Sequence, residues 1–252
     1  MRPIISTSSV LSALLILAQW TVRPASAQYP GWPHTGSVYL LTTPEGANLP
    51  AAASAEGFPL LVRLHKNFFN FSQAKANGED IRFSTSTGAP LAYQIEEWDA
   101  ANGTANVWVL IPQIKGNDRQ EIKIHWGKSD AATESKGSAV FNAENGYVSV
   151  LHMDGALRDE LESLTPKDQG TTTAAGLIGE ARHLTRGQGI LGGAHVTNYP
   201  FGDGAFTSEA WFRPELAGTT IFYWGRYATR LNGKTGDGNE VGLNIGAPAS
   251  LG

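Results

Sequence analysis

The sequence predicts an all-β protein made of two consecutive antiparallel β-sandwich modules, the second a partial jelly roll. Three observations predict it. Short runs of alternating apolar and polar residues recur along the chain, divided by turns rich in Gly, Pro and Asn. Helical periodicity is almost absent. Composition agrees: 29 glycines and 13 prolines in 252 residues supply turns without reaching a low-complexity level, and 10% aromatic residues give a core something to bury.

The first 27 residues read as an address. A basic start at Met1-Arg2 leads into an apolar run from Val10 to Ala18, and Ala25-Ser26-Ala27 puts small residues where a signal peptidase reads them. Cleavage is expected between Ala27 and Gln28. The apolar run is shorter than the ~20 residues that cross a bilayer, and no later run is long enough. Losing the leader removes Arg2 and Arg23, so a chain of formal charge −4 becomes more acidic. That balance offers no footprint for nucleic acid. With no cysteine there is no disulfide framework, thiolate metal site or cysteine nucleophile. An exported chain without cysteine points to a bacterial source, with a periplasmic, cell-surface or extracellular destination.

The strands follow in order. Val38 to Thr42 is a first strand, and Thr43 to Gly57 a loop. Pro59 to Leu64 is the second strand and Asp80 to Phe83 the third. Leu91, Tyr93 and Ile95 alternate with Ala92, Gln94 and Glu96. The run Asp99 to Gly103 ends in Asn-Gly, a turn signal. Val107 to Ile111 is apolar on both faces, as a central strand should be. Glu121 to Trp126 alternates again. From Gly127 to Asn145 the pattern lapses, which reads as a linker or short helix. Beyond it come Tyr147 to His152, Phe206 to Arg213, Thr220 to Trp224, Tyr227 to Leu231 and Val241 to Ile245. The resulting domains are 28–128, a linker at 129–144, and 145–252. A jelly roll needs about eight strands, so the second domain reads as incomplete and the chain as a fragment.

Chemistry is sparsely signalled. Gly187 to Gly192 matches G-x-G-x-x-G but lacks the strand and helix a dinucleotide site needs, so it reads as a loop. There is no G-x-S-x-G elbow and no H-E-x-x-H. His152 and Asp154 lie two apart and read as a solvated strand end. Two ligands do not make a metal site. Sugar hydrolysis needs two carboxylates facing each other. Glu96 and Glu97 are adjacent, so a regular strand sends them to opposite faces, and Asp159 to Glu162 reads as a solvated turn. Trp108 and Trp126 sit in apolar strands and read as core. Trp98, Trp211 and Trp224 have no evident core role, and Glu209 shares a strand face with Trp211. These four are the candidate binding residues, because exposed aromatic faces stack on sugars. The competing reading of Glu209 and Trp211 is a strand with one outward polar residue and one packed ring.

Two resemblances rest on particular residues. The runs Leu61 to His65, Phe69-Asn70-Phe71, Asn77 to Phe83, Leu91 to Glu96 and Val107-Trp108-Val109 with Pro112 follow in an order that resembles a domain of unknown function from exported bacterial proteins, over 58–128. That module usually closes with Tyr-Tyr-Gly-Asn, where His125 to Lys128 stands here. Tyr147 to His152, Gly176 to Leu184, Phe206 to Pro214 and Ile221 to Gly225 resemble the concanavalin A-like, laminin-G-like domain that often follows it. The pairing is similar to exported proteins of planctomycete-type bacteria. The first resemblance brings no established chemistry. The second implies a jelly roll that binds polysaccharide or extracellular protein, sometimes with calcium, although no calcium ligand set maps onto this sequence.

The expected function is therefore an exported, non-catalytic binding protein for glycans or extracellular polymer, with no cofactor. Two alternatives stand beside it. One is a glycoside hydrolase or lyase whose catalytic carboxylates lie beyond Gly252. The other is the ectodomain of a membrane-tethered sensory or biopolymer-transport protein.

Overall fold

A computed structural model describes residues 29–193, 199, 205–213 and 215. The elements are β1 (His34–Leu41), β2 (Ser54–His65), β3 (Arg82–Thr85), β4 (Pro90–Leu91), β5 (Tyr93–Asp99), β6 (Thr104–Lys115), β7 (Arg119–Trp126), α1 (Gly137–Val140), β8 (Lys167–Gln169), β9 (Thr172–Ala175), β10 (Glu180–His183) and β11 (Gly189–Leu191). The protein is mostly β, its sheets are antiparallel, and the described residues hold a single four-residue α-helix.

The first seven strands form two sheets, one in the order β1-β7-β3-β4 and the other in the order β2-β6-β5. Alternation decides which side chains meet between them. β6 sends Ala105, Val107, Val109 and Ile111 inward, and β7 sends Ile122 and Ile124. Leu40, Val62, Leu64, Phe83 and Tyr93 complete the interior from the other strands. Ile81, Phe83, Val107 and Val109 have no exposed surface. The Asn-Gly turn forms as expected: Gly103 takes φ +75° and donates to the Asp99 carbonyl at 2.8 Å, closing the β5–β6 hairpin.

Two features depart from regular alternation. Ile95 pairs with Val107 and Glu97 with Asn106, so Glu96 is an extra residue, a bulge on β5. The bulge brings Glu96 and Glu97 to the same outer face, where Trp108 Nε1 donates to Glu96 and Asn106 Nδ2 donates to Glu97 at 2.5 Å. The opposite-face expectation for this pair fails because alternation holds only in an unbulged strand.

Residues 129–144, expected as a linker, lie along the sandwich. Arg82 donates to the Ala132 carbonyl at 2.7 Å and pairs with Glu134 at 2.9 Å. Lys136 N–H donates to the Tyr93 carbonyl at 2.9 Å, and Ile95 N–H donates to Ser135 Oγ at 2.8 Å. This segment thus covers the free edge of β5. Val140 and Phe141 are buried behind it.

After residue 145 the described chain forms two two-stranded ribbons, β9–β10 and β8–β11, and one isolated bridge between Leu151 and Asp159. A jelly roll is not formed by these residues. Tyr147 to His152 and Phe206 to Arg213 carry no regular strand. The expected strands at 220–224, 227–231 and 241–245, and the leader at 1–27, lie outside the described residues.

Two substitutions test this packing. Phe83→Ala is expected to cost about 3–5 kcal/mol in denaturant unfolding. Gly78 has φ +70°, and a Cβ there would lie 2.6 Å from the Trp98 ring. Gly78→Ala is expected to cost about 1–3 kcal/mol in the same measurement.

Candidate functional site

The outer face of the β2-β6-β5 sheet carries the most concentrated polar chemistry. It is built from Gln94 and the bulged Glu96 on β5, Trp108 on β6, and His152, Arg158 and Glu160 from the segment laid over them. His152 and Glu96 have side chains 9% exposed, and Glu160 4%. His152 Nδ1 lies 3.2 Å from Glu96 Oε1. His152 Nε2 lies 3.1 Å from Gln94 Oε1, closer than the 3.9 Å to Glu160. Gln94 Nε2 donates to Glu160 Oε1 at 3.0 Å, and Arg158 reaches the same oxygen at 2.9 Å. Phe141 closes the cluster, edge-on to both Trp108 and His152.

Local sequence explains the assembly. The bulge aims Glu96 outward. Asp159 organises the covering loop: Oδ1 accepts from Val150 N–H at 2.8 Å and from Leu161 N–H at 3.2 Å, and Oδ2 accepts from Leu164 N–H at 2.9 Å. Gly137 leaves room for the Glu160 carboxylate, since a Cβ there would lie 1.8 Å from Oε2. Asp159 and Glu160, expected in solvent, are buried, and the His152 side chain is largely covered, because this loop lies against a sheet. A two-residue spacing carries no sign of that. The described residues hold no group of three or more His, Asp or Glu side chains arranged to hold a metal.

A second histidine has different neighbours. His125 lies between Thr35 Oγ1 and Ser84 Oγ at 3.1 and 3.0 Å, beside the Tyr29 ring. Burial holds its ionisation below the ordinary histidine range, and Lys123 adds to this. Its neighbours are hydroxyls that can donate or accept, so a neutral ring is satisfied there.

Three of the four expected binding residues are among the described residues. Trp98 stands edge-on to Phe69 and Phe71 and packs against the core. Trp126 packs against the core too, whereas Trp108 faces outward under Phe141. Glu209 and Trp211 are exposed, and Trp211 is 85% so. Burial, and after it the Glu209 charge, raises the Tyr147 phenol above its usual range. Trp224 lies outside the described residues. Elsewhere, an apolar groove of about 660 Å3 runs between β1 and β2, floored by Val62, Leu64 and Ile124 and rimmed by exposed Tyr39, Phe58 and Phe68.

The segment that carries Gln94, Glu96, Trp108, Gly137 and His152 also matches a family model. Residues 77–156 match the family model described as Domain of unknown function (DUF2341). The match covers about a third of the chain and starts and ends later than the expected 58–128, taking in the segment along β5 and stopping before Glu160. No curated protein and no solved structure matches the chain.

Gly137→Ala places a good helix former in α1, yet is expected to displace the Glu160 carboxylate and cost about 1–3 kcal/mol, read as a lower denaturant midpoint. An unchanged midpoint would show that Glu160 needs no such space.

Proposed function

We propose that this chain is an exported, non-catalytic binding protein whose C-terminal half engages glycan or another extracellular polymer. The observation that supports this best is the aromatic exposure of residues 205–213. Trp211 is 85% exposed, and Phe206 and Phe212 are 44% and 46% exposed. Contiguous exposed apolar surface marks contact sites. A flat indole stacks on the C–H face of a sugar, and Glu209, two residues away, adds a hydrogen-bond acceptor for hydroxyls. The lectin-like resemblance of 145–252 and the leader at 1–27 support the same reading.

A polysaccharide pull-down or glycan array with the full chain tests this. Trp211→Ala is expected to weaken retention about tenfold or more while leaving the unfolding midpoint unchanged. Retention equal to wild type, or none of any polymer by folded protein, overturns the reading. Expression with the leader is expected to yield exported protein beginning at Gln28, read by N-terminal sequencing.

A further inference from the structure

We infer that a proton on His152 holds residues 137–164 against the outer face of β5 and β6, so that rising pH releases this covering segment. The inference does not depend on glycan binding. It follows from which atoms can donate. Glu160 is a carboxylate, so the Gln94 atom facing it at 3.0 Å is the donating Nε2. That orientation turns Gln94 Oε1 toward His152 Nε2 at 3.1 Å. A carbonyl oxygen only accepts, so Nε2 carries a hydrogen. On the other side of the ring Nδ1 faces Glu96 Oε1 at 3.2 Å. The second Glu96 oxygen accepts from Trp108 Nε1, a group that only donates. Glu96 is thus an acceptor on both sides, and Nδ1 carries a hydrogen as well. A ring with hydrogens on both nitrogens is an imidazolium.

The charges facing the ring agree. Glu96 comes from β5, and Glu160, with Arg158 against it, from the covering loop. Gln94, Trp108 and the Phe141 ring are uncharged. Two carboxylates, one guanidinium and one imidazolium balance. Without the proton the cluster holds a net negative charge where its histidine and carboxylates are at most 9% exposed, and one ring nitrogen faces an oxygen acceptor with no hydrogen between them. The ring is therefore an attachment while protonated and a mismatch when neutral. Stability of the docked segment is present while the proton is bound and lost as pH rises. His125, among hydroxyls, makes no such demand.

Amide hydrogen exchange of the full chain, corrected for intrinsic rates, tests this at about pH 5.5 and about pH 8.5, on either side of the ordinary histidine range and above the carboxylate range. Peptides within 137–164 are expected to lose about tenfold or more of their protection at the higher pH, while those of β6 keep theirs. His152→Gln, which has no titrating ring, is expected to remove the pH dependence. Nitrogen NMR of His152 is expected to show both ring nitrogens protonated at the lower pH. Equal protection at both pH values overturns the inference, as does a pH-dependent loss that persists in His152→Gln, or a ring with one hydrogen while the segment is protected. If His152→Gln does not fold, Glu96→Gln serves: it removes the charge, and its single oxygen cannot accept from both Nδ1 and Trp108 Nε1, so the transition should move to lower pH or vanish. No movement overturns the inference.

Discussion

Strand β6 is apolar on both faces, and much of the architecture answers that constraint. A strand of this kind must be covered twice. Val107 and Val109 are covered by the facing sheet, where Phe83, Ile122 and Ile124 meet them. Trp108 points the other way and is covered by Phe141, with α1 and the loop around His152 beside it. Without the second cover the hairpin of β5 and β6 would present a broad half-apolar face to water. The segment after β7 supplies that cover and in doing so closes the free edge of β5.

Covering a sheet face with a loop brings polar groups inside, and each then needs a partner. The protein meets this with side chains that satisfy one another: Glu96 with Trp108 and His152, Gln94 with His152 and Glu160, Glu160 with Arg158. Asp159 ties down the backbone of the same loop. Such a network adds less net stability than its number of contacts suggests, because each charge loses its hydration on entering. Its larger consequence is a single geometry for the covering segment. The contrast with His125 shows how differently two imidazoles are housed: His125 lies between two hydroxyls, whereas His152 lies between an amide oxygen and a carboxylate.

Much of the sandwich was legible in the chain. The alternation at Tyr93 and Ile95, the doubly apolar run at Val107 to Ile111 and the Asn102-Gly103 turn each describe a local preference that the fold keeps. The site was not legible. Glu96 and Glu97 looked like poor partners because the rule of alternation has no term for a bulge. His152 and Glu160 looked like surface residues because the β5 side chains they meet lie more than fifty positions earlier in the chain. Trp98 looked free because its partners, Phe69 and Phe71, lie on a connection with no strand pattern of its own.

The sequence by itself determined the antiparallel β character, the central place of β6 and the hairpin that presents it, since period-two patterning and turn chemistry act between near neighbours. Only the tertiary structure decided what covers the outer face of that hairpin and which polar groups meet beneath the cover. Those contacts join residues far apart in the chain, and they depend on a bulge and on the space left at Gly137, neither of which has a periodic signature.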